Sequence, residues 1–149
     1  SHGGGIYCSN SNGKIIDNTI TGNTAPAGAG GGIYFTATTS ALVVANNIVA
    51  SNSSGIYNSG APTFTIRNND VWSNGTSNYS WTPAPTGDIS ADPKLAGVHI
   101  PPGSPCINAG WNNAPSLPST DIDGQSRIQP SEGTVDIGAD ETNSTTSWP

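Results

Sequence analysis

Basic residues are scarce in this 149-residue chain: Lys14, Arg67, Lys94 and Arg127 stand against ten acids, for a net charge of −6. Nucleic acids and anionic membranes need clustered Lys and Arg to displace counterions, so neither partner is expected. Long apolar runs are missing too. With no stretch of about 18 apolar residues, no membrane-inserting helix is expected. Cysteine is limited to Cys8 and Cys106, far apart and with no His, Lys or Arg beside either to activate a thiolate. Two buried free thiols are favoured over a disulfide, which would need the two Cα atoms within roughly 7 Å.

What the chain has instead is turn chemistry. Hydrophobic residues make up 33%, and 19 Gly, 12 Pro and many Asn, Ser and Thr separate them. These residues disfavour helices, so many short strands joined by frequent turns are expected. Disorder is the competing reading of such a composition, and regular apolar spacing opposes it.

Three segments align: Gly3 to Ala25, Gly30 to Ser54, and Gly55 to Ser77. Each carries Gly-Ile-Tyr near its start (Gly5-Ile6-Tyr7, Gly32-Ile33-Tyr34, Gly55-Ile56-Tyr57) and a pair of Asn near its end (Asn18 and Asn23, Asn47 and Asn52, Asn69 and Asn74). Aliphatic residues recur in register as Ile6/Ile33/Ile56, Ile15/Val44/Ile66 and Ile20/Val49/Val71, with polar or variable neighbours such as Asp17/Asn46/Asn68 and Thr19/Ile48/Asp70. Period-2 alternation places one set inside and the other outside. A repeat of 22 to 29 residues cannot bury its apolar side alone, but stacked repeats turn each aliphatic position into a ladder. The fixed Asn positions suit left-handed turns and amide hydrogen bonds from rung to rung. The expected fold is all-β, a right-handed parallel β-helix with an irregular C-terminal capping segment. Residues 1–77 form three repeats, 78–141 the final rung or rungs and closing segment, and 142–149 a polar tail.

The repeated Gly-Gly-Gly-Ile-Tyr and Asn-Asn-x-Ile-x-x-Asn resemble the β-helix repeats of large bacterial secreted and cell-surface proteins. Four later stretches resemble, in order, the motifs that close β-helices called choice-of-anchor Q domains. They are Ile89 to Pro93, Pro102 to Gly110, Asp121-Ile122-Asp123-Gly124 with Arg127, and Asp136 to Glu141. The stretch after Pro93 is shorter than that family's pattern, and Cys106 stands where a small residue is usual. The resemblance implies an extracellular or cell-surface location and a platform or stalk role within a larger polypeptide, without fixing an activity. The opening Gly3-Gly4-Gly5 is already repeat-like, so further rungs are expected upstream, and unpaired strand edges there predict self-association through the β-helix ends.

Candidate chemistry is sparse. Asp121-x-Asp123-Gly124, with Asp136, Asp140 and Glu141, offers oxygen ligands for calcium; the alternative is that Arg127 pairs with Asp123 or Asp136 in a plain structural turn. No other cofactor is expected. A glycoside hydrolase would need two carboxylates across a groove, and the repeats offer only Asp17 and Asp70 at non-equivalent positions. A polysaccharide lyase would need a base and a cation, for which Arg67 with Asp70 is the outward pair. Catalysis in this chain is therefore not favoured. Trp72, Tyr79 and Trp81, with Trp111 and Trp148 in later loops, are candidates for stacking on a polysaccharide or glycan, or else cover the sides and end of the coil. His2 and His99 read as isolated. Thr19 and Thr21 align with Ile48 and Ala50, so no threonine ladder of the ice-binding kind exists. Asn52, Asn74, Asn78 and Asn143 stand in glycosylation sequons. The expected function is an extracellular structural or adhesive module, with polysaccharide binding or processing as the alternative.

Overall fold

The computed structural model describes residues 4–26, 30–36, 42–60, 64–81 and 85–142. Its strands are β1 (Ile6–Ser9), β2 (Lys14–Ile16), β3 (Thr19–Thr21), β4 (Ile33–Thr36), β5 (Leu42–Ala45), β6 (Ile48–Ala50), β7 (Ile56–Ser59), β8 (Phe64–Arg67) and β9 (Asp70–Trp72). They form three parallel sheets, ordered β1-β4-β7, β2-β5-β8 and β3-β6-β9, so each rung contributes one strand to every sheet. The register matches the sequence alignment residue for residue, pairing Ile6 with Ile33 and Ile56, Ile15 with Val44 and Ile66, and Ile20 with Val49 and Val71. These ladders share one core with Phe35 and Leu42. On the outer face of the first sheet, Tyr7, Tyr34 and Tyr57 stack at centroid spacings of 5.4 and 5.0 Å.

The corner asparagines behave as expected in one respect and differ in another. Asn18, Asn47 and Asn69 form an amide ladder, each Nδ2 donating to the Oδ1 of the next rung at 3.0 Å, and Asn23, Asn52 and Asn74 form a second at 3.0 and 3.1 Å. The left-handed residues, however, are those before the ladder: Asp17, Asn46 and Asn68, with φ of 55°, 55° and 51°. That turn aims the next side chain into the stack, so the backbone role and the amide role fall on adjacent residues. Asn52 and Asn74 are buried in the second ladder, which removes two of the four sequons as accessible acceptors.

A partial fourth rung follows, bridging Tyr79 to Ile56, Thr86 to Arg67 and Ile89 to Asp70. It closes both ladders: Asp88 Oδ1 accepts from Asn69 Nδ2, and Asn78 Oδ1 from Asn74 Nδ2. A carboxylate, which only accepts, suffices at the end of a ladder.

The closing segment, residues 91–142, lies along the flank of the coil. It reaches the third rung where Asn68 Nδ2 donates to Ala109 O at 2.9 Å, the second where Gly138 N donates to Asn46 O at 2.9 Å, and the first where Ala139 N donates to Thr19 Oγ1 at 3.1 Å. The middle rung is accordingly buried on both faces. Ile48 and Ala50 pack outward on Ile100, Cys106 and Ile137, and Val43 and Ala45 on Ala114. Strands covered on both faces become continuously apolar, as Leu42–Ala45 and Ile48–Ala50 are. Gly138, at φ 114°, lies so close to this surface that a Cβ would come within 2.7 Å of Ile48 Cδ1.

Candidate functional site

Arg67 and Asp70 do not form an outward pair. Asp70 is fully buried beneath the closing segment, where Oδ1 accepts from Ala91 N at 3.2 Å and Oδ2 from the Cys106 thiol at 3.3 Å. Burial raises its pKa to about 6 and also raises that of Cys106. The Arg67 guanidinium lies 4.6 Å over the Trp111 ring, and its Nε donates to Asn68 Oδ1. Asp17 is buried as well, raised to about 6 by desolvation against the opposing charge of Arg127. Neither residue presents a carboxylate to a substrate, because the flank that looks free in the repeats is the surface the closing segment occupies. Both cysteines are free, Cys106 buried and Cys8 half-buried.

The five acids read as candidate calcium ligands, Asp121, Asp123, Asp136, Asp140 and Glu141, do not form one cluster. Arg127 pairs with Glu141, Nη1 to Oε1 at 3.0 Å, rather than with Asp123 or Asp136, while Nη2 reaches Asp17 O at 3.4 Å. This buried guanidinium ties the segment to the first rung. Glu141 Oε1 also accepts from Asp136 N at 2.9 Å, and the Asp136 carboxylate accepts from Asn108 N at 2.7 Å and Thr142 N at 2.8 Å. Burial raises Asp136 to about 6 and pushes Glu141 upward. These two acids hold backbone in place.

Asp123 and Asp140 form the second group, and sequence reading missed their partner. His99 Nε2 lies 3.1 Å from Asp123 Oδ2, and one ligand atom each from His99, Asp123 and Asp140 falls within 4.8 Å of the others. Asp121 holds the arrangement, its Oδ1 accepting from Asp123 N at 2.9 Å and Gln125 N at 2.7 Å, its Oδ2 from Glu141 N at 3.0 Å. His99 is therefore not isolated. It stands 24 residues from Asp123, so no local spacing marks the contact.

The aromatic trio is split between the core of the coil and its outer flank. Tyr79 and Trp81 meet at 5.3 Å, and Trp81 lies edge-on to Phe64 at 5.6 Å and to Phe35 at 5.9 Å, so this pair packs on the core. Tyr79 also donates to Asp88 Oδ2. Trp72 instead lines a groove of about 560 Å³, between Thr21, Ala50 and Ser51 on the coil and Asp92 to Leu95 on the closing segment. Lys94 lines it too, with Nζ directed to Gly103 O at 2.9 Å. Residues 27–29 of the Pro26–Gly31 insertion, His2, Trp148 and the Asn143 sequon lie outside the described residues, as does the tail beyond Thr142.

Comparison with curated proteins and with solved structures returned no match. The family described as the right handed beta helix region matches residues 1–89, which span the three full rungs and the partial fourth. The three parallel sheets and that match agree: the chain belongs to the right-handed β-helix family.

Proposed function

We propose that this chain is a rigid, non-catalytic module of an extracellular or cell-surface protein, acting as a structural or adhesive platform. One observation carries the reading: Asp17, Asp70, Asp136, Glu141 and Arg127 are all buried, on the coil or within the closing segment that covers it. Charged groups that could serve a reaction are thereby committed to architecture. Asp92 is the one described acid lining the groove, and acid–base hydrolysis of a glycosidic bond requires two.

A second reading, polysaccharide recognition without turnover, is favoured by Trp72. Its indole stands in a groove bordered by the hydroxyl-bearing Thr21, Ser51 and Ser73, and an aromatic face among polar groups suits a sugar ring. A polysaccharide array probed with the intact chain and with Trp72→Ala separates the two readings. A pure platform gives no saturable binding. Binding lost in Trp72→Ala establishes glycan recognition in the groove, and release of unsaturated or reducing sugar by the intact chain overturns the non-catalytic assignment.

A further inference from the structure

We infer that His99, Asp123 and Asp140 form a binding site for one divalent transition-type cation, with zinc the best chemical match. Three separate stretches of the closing segment deliver these side chains. His99 ends a tight turn closed by Ala96 N to His99 O at 3.0 Å and His99 N to Ala96 O at 3.3 Å. Asp123 sits in the turn pinned by Asp121, inside the antiparallel bridge between Thr120 and Ser126. Asp140 is 1% exposed and accepts through Oδ2 from the amide of Ile100, the residue after His99, at 2.9 Å. That bond fixes the carboxylate relative to the imidazole, and among the described residues no donor is placed on its other oxygen.

Charge supports the assignment independently. Asp121, Asp123 and Asp140 crowd one place, and none of the four Lys and Arg is spent there. Lys14 bonds Ser116, Arg67 covers Trp111, Lys94 bonds Gly103, and Arg127 pairs with Glu141. A bound dication would offset the charge that no Lys or Arg compensates there.

The donor set discriminates among metals. Calcium takes six to eight oxygens, whereas one imidazole nitrogen with two carboxylates suits zinc and leaves a position for water. Bonds of roughly 2.0–2.2 Å hold two ligand atoms no more than about 4.4 Å apart, so any pair near the 4.8 Å limit must draw together on binding. His99 and Asp123, with side chains 25% and 45% exposed, lie nearer the surface than Asp140 and would close on that buried carboxylate.

The test is calorimetric titration of the intact, chelator-treated chain with zinc chloride, alongside calcium chloride, and cobalt(II) absorption spectra as an independent report of ligand geometry. One equivalent of zinc should bind, in preference to calcium, and raise the melting temperature. His99→Gln and Asp123→Asn should each weaken binding roughly tenfold or more and abolish the cobalt bands. No saturable zinc uptake by the intact chain overturns the proposal, whatever the variants do. So does a preference for calcium, or undiminished uptake by both variants, which would place the metal elsewhere.

Discussion

Asn47 sits in the middle rung with no solvent exposure. Its Nδ2 donates to Ile15 O at 2.8 Å, Ala45 O at 2.9 Å and Asn69 Oδ1 at 3.0 Å, and its Oδ1 accepts from Asn18 N and Asn18 Nδ2, both at 3.0 Å. Asn47→Ala removes all of these at once. The Nδ2 amide shares two protons among its three acceptors, so these contacts amount to about four hydrogen bonds; at a net value of about 1 kcal/mol each, the loss is about 4 kcal/mol, a large part of the stability of a marginal domain. Asn18→Ala is the internal control. In the half-buried first rung it loses only donation to Ile16 O and to Asn47 Oδ1, so it should cost about 1–2 kcal/mol. Urea unfolding followed by tryptophan fluorescence should show Asn18→Ala with a modestly lowered midpoint and Asn47→Ala unfolded at little or no denaturant. Asn47→Asp should be no better, since a carboxylate cannot donate to Ile15 O, Ala45 O or Asn69 Oδ1; Asp88 is accommodated because it closes the ladder. Equal midpoints for Asn18→Ala and Asn47→Ala would refute the ladder as a major source of stability.

Gly55→Ala should destabilise by several kcal/mol, because a Cβ there meets Asn78 O at 2.2 Å and only separation of two rungs relieves it; Gly22→Ala, at φ 71° with nothing within 4 Å, should cost about 1–2 kcal/mol by urea unfolding. Arg127→Met leaves Glu141 buried without its partner and should cost about 3–5 kcal/mol, seen as faster protease cleavage within residues 91–142 before the coil is cut. Stability should rise on mild acidification. Asp17, Asp70 and Asp136 each titrate near 6 when folded against an ordinary 3.8, so the folded state holds protons that the unfolded chain releases. Their contribution is fully present below about pH 4 and is lost as pH rises through 6. At about 1.4 kcal/mol per pKa unit the ceiling is about 3 kcal/mol for each group. Scanning calorimetry should give a higher melting temperature at pH 5 than at pH 8, and the opposite order would contradict the burial of these carboxylates.

The repeating half was legible because stacking makes every rung contact a copy of the last. An aliphatic residue at one rung position meets an aliphatic residue one repeat away, so alignment of the sequence with itself is already a contact map. The Ile15/Val44/Ile66 ladder and both Asn ladders follow from that alone. The choice between Asp17 and Asn18 for the left-handed turn does not, since both residue types tolerate it and the ladder takes whichever side chain points inward. The sequence does carry a trace of the cover: Val43 and Ile48 are apolar at outward positions where the first and third rungs carry Lys14 and Thr65, or Thr19 and Asp70. That pattern marks a rung covered on its outer face.

By itself the sequence determined the coil, its register and its amide ladders, because those interactions recur at one-repeat separations and leave a periodic trace. Where the unrepeated closing segment lies emerges only from the folded chain. Its bonds join residues such as Asn46 and Trp111, or Thr19 and Ala139, 65 and 120 positions apart, each made once. That placement buries Asp17 and Asp70, completes the groove beside Trp72, and brings His99 to Asp123 and Asp140. A contact made once leaves no period to read, so the site residues stand on the half of the chain where the alignment falls silent.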